Sequence, residues 1–179
     1  MQLIDVDQRD FTCVSILGMV AYCTMCLESY VLEAYPERSF SLIMRLAWGI
    51  VGPNGYIDEN AYHYMEAIPE YLFEFGDYEA AEFEHLTREE FNEFRGLLDP
   101  GDQTLNLVMH RIYDVAMCYA YTAVENPPRE AVNLVFDVVD CLGKHGIQLP
   151  DFSLVKSFSF SEFHGWGAHI SPEGLSKVI

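Results

Sequence analysis

The chain has 179 residues, of which 50 % are apolar and 14 % aromatic, and 28 acidic side chains face 10 Lys and Arg in a formal net charge of -18. This apolar content suffices for the core of one domain and argues against disorder, which combines high charge with low hydrophobicity. Direct nucleic-acid binding is not expected, because it requires clustered Lys and Arg. The five cysteines form an odd set in apolar surroundings, so we expect reduced, buried thiols of a cytoplasmic protein.

The first long apolar stretch, residues 11–27, predicts a buried core helix. Asp10 is placed to cap this helix, and Pro36 forces a break, so the helix should end near Ala34. Three acidic residues precede the stretch: Asp5, Asp7 and Asp10. An export signal is not expected, because it begins with a positively charged region. A membrane span is not expected either, because it needs about 20 mostly apolar residues and polar residues interrupt this stretch.

The next helices are separated by strong turn signals. Ser39 is a candidate cap for a short apolar helix over 40–47, and the turn at 52–55 follows it. Asp58 is a candidate cap for a helix over 59–75. Pro69 should kink or split that helix near Ile68.

Three more helices follow in the second half of the chain. Thr87 and Glu90 form a capping box ahead of apolar residues at helical spacing. The next helix has the clearest apolar stripe, at Leu105, Val108, Ile112, Val115, Tyr119 and Ala123. Asn126 should cap the last helix, with Pro127 at its first position and its end at Gly143 or Gly146. The last two helices should pack antiparallel and bury together Leu105, Val108, Ile112, Val115, Val132, Phe136 and Val139.

From Ile147 onward the helical pattern stops. Residues 147–179 are expected to form a less regular segment packed on the bundle, with a flexible aromatic element at 163–167 and one helical turn at 171–174. No internal repeat or long linker is present. The sequence therefore predicts a mainly α protein, a single-domain helical bundle of about six to seven helices over residues 1–179.

Two short patterns have the residue spacing of metal sites. Cys23 and Cys26 have C-x-x-C spacing, but a structural zinc site needs four ligands and no second pair exists, so we expect inert thiols. Glu82 and His85 have E-x-x-H spacing, which on a helix places both side chains on one face.

A carboxylate-bridged di-metal site needs a second E-x-x-H pair and two further Glu residues. The chain offers only His63 and Glu66, in reversed order. No nucleophile elbow, phosphate loop or H-E-x-x-H motif occurs. We therefore expect no catalytic residue, metal or cofactor, and a metal-dependent enzyme built on Glu82, His85, His63 and Glu66 remains an alternative.

The strongest feature is an acidic segment, residues 58–99, with thirteen acidic side chains against Arg88 and Arg95 and nine interleaved aromatic residues. Such a surface attracts basic proteins, and aromatic rings beside carboxylates suit a cationic partner. We predict that a basic protein binds through Glu66, Glu70, Tyr71, Glu74, Asp77, Tyr78, Glu79, Glu82, Glu89 and Glu93. The open alternative is a solvated face that keeps the chain soluble.

In size, charge and helical class the whole chain resembles the bacterial immunity proteins of contact-dependent and other polymorphic toxin systems. The stretch 163–167, followed by 174–176, is the part that looks like a family signature. The resemblance implies a cytoplasmic protein that binds a cognate toxin domain, often a basic nuclease encoded beside it, and blocks its active site or excludes its substrate. A helical adaptor or DNA mimic is a further alternative.

Overall fold

The structure is a computed structural model that describes residues 6–179; Asp5 lies outside the described residues. Over this range the protein is all helical, as predicted, and its only β feature is a single bridge between Val14 and Ser159. Six of the helices have ten or more residues, in line with the six to seven expected. The helices are α1 (Gln8–Phe11), α2 (Ile16–Ala34), α3 (Ser41–Val51), α4 (Ile57–Glu66), α5 (Pro69–Leu72), α6 (Tyr78–Ala81), α7 (Arg88–Leu97), α8 (Gln103–Met117) and α9 (Arg129–Lys144).

Helix α2 forms the centre of the core. It packs against α3, α8 and α9, and every residue from Ile16 to Glu28 is buried. Its length and composition alone would allow it to cross a membrane, but 78 % of its apolar window is buried inside the protein. Because its apolar surface is already covered by other helices, the predicted core helix is confirmed.

The predicted start of α2 is wrong. Asp10 lies in α1, a separate short helix capped by Asp7. Ser15 is the cap of α2, where its hydroxyl accepts the amide N–H of Gly18 at 3.1 Å. The chain leaves the helical path before Ser15 because the amide N–H of Ser15 donates to the carbonyl of Phe158 at 2.8 Å. A contact distant in sequence therefore separates α1 from α2.

Two further predicted caps in the first half of the chain are wrong. Helix α3 is capped by buried Phe40 rather than by Ser39, because the Phe40 carbonyl accepts the first helical hydrogen bond, from Met44 at 2.9 Å. Helix α4 begins at Ile57, and Asp58 therefore lies inside its first turn. The predicted split at Pro69 is confirmed, since α4 ends at Glu66 and α5 starts at Pro69.

Helices α8 and α9 pack together as predicted. The cap of α9 is Pro128 rather than Asn126, because the Pro128 carbonyl accepts the first helical hydrogen bond, from Val132 at 3.0 Å. Phe136 is half-buried, where it packs edge-on against Phe11 with ring centroids 5.9 Å apart, and the other six residues predicted to be buried together are buried. The apolar stripe predicted a longer α8 than the structure has, since the helix ends at Met117 and Ala123 is exposed.

The C-terminal segment is irregular, as predicted, and binds the start of α2. The amide N–H of Leu17 donates to the carbonyl of Trp166 at 3.0 Å, and that of Phe160 donates to the carbonyl of Cys13 at 2.8 Å. Gly167 has a φ of +86°, and a Cβ at this position would lie 2.2 Å from the Ser15 hydroxyl oxygen. Gly167 is therefore explained by close packing against the cap of α2, whereas Gly165, with a φ of +94°, lies against Phe160 and Val124.

Candidate functional site: the acidic segment

The acidic segment comprises α4, α5, α6, α7 and the loops between them. The structure divides the ten predicted partner-binding residues into three groups. Glu66 is buried, and Tyr71 and Tyr78 are half-buried. The exposed members are Glu70, Glu74, Asp77, Glu79, Glu82, Glu89 and Glu93.

Glu66 is a buried internal anchor rather than an exposed carboxylate. Its side chain is 8 % exposed, and its carboxylate accepts three backbone N–H groups, from Glu84 at 2.8 Å, His85 at 3.0 Å and Leu86 at 2.7 Å. Charge-assisted hydrogen bonds of this kind are roughly twice as strong as neutral ones. Glu66 therefore fixes the loop between α6 and α7 to the end of α4.

The aromatic residues of the segment pack mainly against one another and against the core. The rings of Tyr78, Phe83 and Phe91 form a cluster with centroids 5.6–5.9 Å apart, and the Tyr78 hydroxyl donates to the carbonyl of Leu86 at 2.7 Å. Among the nine aromatic residues only Phe75 is classed as exposed, at 40 %. Tyr78 is therefore not an exposed side chain, because its ring belongs to a local core.

Tyr71 is also partly covered. Its ring lies 5.7 Å from that of His110, and the neighbouring Glu70 carboxylate lies 2.7 Å from His110 Nε2. This ring nitrogen is not aligned for a hydrogen bond to the carboxylate, so the two groups are in contact without one. Tyr71 is therefore a half-buried side chain rather than a free one.

Both arginines of the segment hold it together. Arg88 pairs with Glu79 and lies over the ring of Tyr78, 5.0 Å from its centroid. Arg95 lies over the rings of Phe73 and Phe91 and donates to the backbone carbonyl of Phe75 at 3.0 Å. Because Arg95 binds a carbonyl rather than a carboxylate, it leaves the acidic side chains around it without a counter-ion.

The surface of the segment is strongly negative as a result. Eight exposed carboxylates of the segment pair with no Lys, Arg or His within residues 6–179: Glu59, Glu74, Asp77, Glu82, Glu84, Glu89, Glu93 and Asp99. They stand on a framework fixed by the Glu66 hydrogen bonds, the aromatic cluster and the capping box of α7, in which Thr87 and Glu90 bind each other as predicted. Burial acts to raise the pKa of Glu90, but hydrogen bonds from Thr87 and the nearby His63 outweigh it and lower that pKa overall.

The alternative metal site does not assemble from its four predicted residues. Glu82 ends α6 in a left-handed conformation with a φ of +51°, and His85 lies in the following loop, so the E-x-x-H pair does not share a helix face. The carboxylate of Glu66 is occupied by backbone N–H groups, and His63 Nε2 faces Glu90 at 3.5 Å. Over the described range 6–179, no group of three or more His, Cys, Asp and Glu side chains is placed to hold a metal ion.

The cysteines differ in their exposure to solvent, although the sequence predicted that all would be buried. Cys23 and Cys26 are buried free thiols, as expected, and burial raises the pKa of Cys23 to about 12. Cys118 and Cys141 are half-buried. Cys13 is exposed, contrary to the expectation, because it lies in the non-helical turn between α1 and α2.

Comparisons of this chain with protein-family models, with curated proteins and with solved structures find no match.

Proposed function

We propose that this protein is a non-enzymatic binding protein whose acidic segment captures a basic protein, and that its biological role is that of a cytoplasmic immunity protein against a toxin domain encoded beside it. The observation that carries the proposal is the set of exposed, unpaired carboxylates on α7 and on the loops on either side of α6. The local density of negative charge exceeds what solubility requires, since carboxylates elsewhere on the surface already serve that purpose.

The structure changes how such binding would operate. Because the aromatic rings of the segment are packed internally, the partner meets carboxylates rather than aromatic anchors. Exposed ion pairs contribute about 0–1 kcal/mol each, but together they steer association and make it dependent on ionic strength. A surface of this kind suits a toxin domain with a broad basic face, such as one that binds a phosphate backbone.

The proposal is tested by co-purification with the product of the adjacent gene. The test variant carries Glu82→Lys, Glu89→Lys and Glu93→Lys, all on exposed side chains. The matched control carries Glu37→Lys, Glu130→Lys and Asp140→Lys, which change the net charge equally outside the segment. Glu130 matches Glu89 because each is the second residue of its helix, so any cost to the helix dipole is equal.

We expect the wild type and the control to retain the partner and the segment variant to lose it at moderate salt. Circular dichroism of all three proteins verifies that the variants remain folded. If both variants retain the partner as well as the wild type does at low and high salt, the acidic segment is a solvated face and the proposed binding surface is wrong.

A further inference from the structure

A second surface feature, apart from the exposed carboxylates of the acidic segment, is an open cleft of about 400 Å³ between the start of α4 and the end of α8. Its floor is apolar and consists of Ala116, Met117 and Ala120. Three aromatic side chains line it: Tyr56, Tyr121 and Trp166. They come from three distant parts of the chain, which the fold brings together here.

Two of these aromatic rings are largely exposed to solvent. Tyr56 is 73 % exposed and Tyr121 is 83 % exposed. Tyr121 also has a φ of +64°, a conformation that residues other than glycine rarely adopt. Strained, exposed aromatic positions of this kind are concentrated at binding sites.

A hydrogen bond holds the exposed Tyr121 side chain against the cleft. Its hydroxyl donates to Asp58 Oδ2 at 3.0 Å, and Asp58 Oδ1 accepts the amide N–H of Glu59 at 3.0 Å. Each carboxylate oxygen therefore keeps a lone pair for a ligand. The hydrogen bond to Asp58 also raises the pKa of Tyr121, which keeps the phenol in its donating form.

The charge of the side chains that line the cleft favours a positively charged ligand. Asp58 contributes a carboxylate. Among residues 6–179 no Lys or Arg lines the cleft, and His169 is the one other acid–base group there apart from the tyrosines. The last turn of α8 presents the negative end of a 15-residue helix, while Asp58 offsets the positive end of the shorter α4. Aromatic faces beside a carboxylate attract organic cations, and a guanidinium enters such a site more readily than a primary ammonium because it is more weakly hydrated.

We propose that this cleft binds an organic cation, a guanidinium or alkylammonium group, between the rings of Tyr56, Tyr121 and Trp166 with Asp58 as its counter-ion. The group is either a free small molecule or a side chain on a polypeptide. This inference goes beyond the proposed function, because none of the carboxylates reversed in its test lines the cleft. If either proposal fails its test, the other is unaffected.

The test uses the intact protein and two probes of nearly equal shape. N-acetyl-arginine amide carries the cation, and N-acetyl-citrulline amide replaces the guanidinium by a neutral urea. Trp166 fluorescence reports binding, since the only other tryptophan, Trp48, is buried with its indole N–H bonded to Glu28. We expect a saturable change with a dissociation constant of roughly 1 mM for the arginine probe, as small ligands in open sites show, and at least about tenfold weaker binding of the citrulline probe.

Variants separate binding from folding. Tyr121→Gly removes one wall and also relieves the positive φ, so we expect a loss of about tenfold in affinity without a lower melting temperature. Asp58→Asn should lower the affinity for the arginine probe to that for the citrulline probe. Phe75→Ser is the matched control, since it removes an exposed aromatic ring outside the cleft and should leave the affinity unchanged.

A third probe, the peptide Gly-Gly-Arg-Gly-Gly, distinguishes the two sources of the cation. Binding of the peptide at least about tenfold tighter than that of the amide assigns the site to a polypeptide side chain. Equal or weaker binding of the peptide assigns it to a free cation. Equal binding of the arginine and citrulline probes, the absence of saturation, or full affinity in Tyr121→Gly would overturn the proposal.

Discussion

The amide N–H of Leu86 donates to the buried carboxylate of Glu66 at 2.7 Å, across twenty residues of sequence. Two neighbouring amides share the same carboxylate, so a single side chain on α4 fixes the loop that precedes α7. The exposed carboxylates of Glu82 and Glu84 therefore stand on a loop whose conformation depends on Glu66, and the exposed carboxylates of α7 follow that loop.

The first prediction follows from this anchor. Glu66→Gln replaces one carboxylate oxygen by an NH₂ group, which would face backbone N–H donors and leave them without an acceptor. The free energy of unfolding should therefore fall by about 1–3 kcal/mol. Urea denaturation measures the change. Glu82→Gln, on an exposed side chain in the same segment, should stay within about 0.5 kcal/mol of the wild type. Equal stability of the two variants would mean that the three amide hydrogen bonds do not hold the loop.

A second prediction concerns the contact between the C-terminal segment and the cap of α2. Gly167→Ala should lower the free energy of unfolding by about 2 kcal/mol or more, because it adds a Cβ 2.2 Å from the Ser15 hydroxyl at a φ of +86°. Gly174→Ala is the control, since Gly174 has a φ of +77° but open space around it, and it should cost about 1 kcal/mol from the backbone alone. Thermal or urea unfolding compares the two. The packing argument fails if both substitutions cost the same.

A third prediction has the opposite sign. Gly143 lies in α9 with open space around its Cβ position and no positive φ. Gly143→Ala should therefore raise the free energy of unfolding by about 0.5–1 kcal/mol, because alanine loses less backbone entropy in a helix. A stability equal to or below that of the wild type in the same urea experiment would contradict the assignment of this position to a regular helix.

The fourth prediction is a ranking of thiol reactivity. Only thiolates react readily, and burial raises the pKa of both Cys23 and Cys118 to about 12. At about pH 8 we expect exposed Cys13 to be labelled first by a thiol reagent and buried Cys23 and Cys26 to react only on unfolding. Mass spectrometry of peptides locates the label. Rapid native labelling of Cys23 would show that α2 is not the core helix described here.

The local features that the sequence predicted correctly are determined by neighbouring residues. The Thr87 and Glu90 capping box joins residues three apart, and the break at Pro69 comes from that residue alone. The choice of cap for α2 is different, because Asp10 and Ser15 are both good capping residues. A hydrogen bond to Phe158, more than 140 residues away, decides between them.

The same limit applies to the sites. A sequence shows that Glu66 is acidic but not that its acceptors meet amides of residues 84–86. It shows aromatic residues among carboxylates but not that Tyr78 and Phe91 pack on each other. The cleft around Tyr121 depends on three segments that only the tertiary fold brings together, so no local pattern marks it.

The central claim is that the acidic segment steers a basic partner, and the association rate constant tests it most directly. The rate is measured by stopped flow between this protein and the product of the adjacent gene over a range of ionic strength. We predict a rate that falls steeply with salt, and about tenfold slower association with a flatter salt dependence for the variant carrying Glu82→Lys, Glu89→Lys and Glu93→Lys. The variant carrying Glu37→Lys, Glu130→Lys and Asp140→Lys should stay close to the wild type. Equal rates and equal salt dependence for all three proteins would contradict the claim.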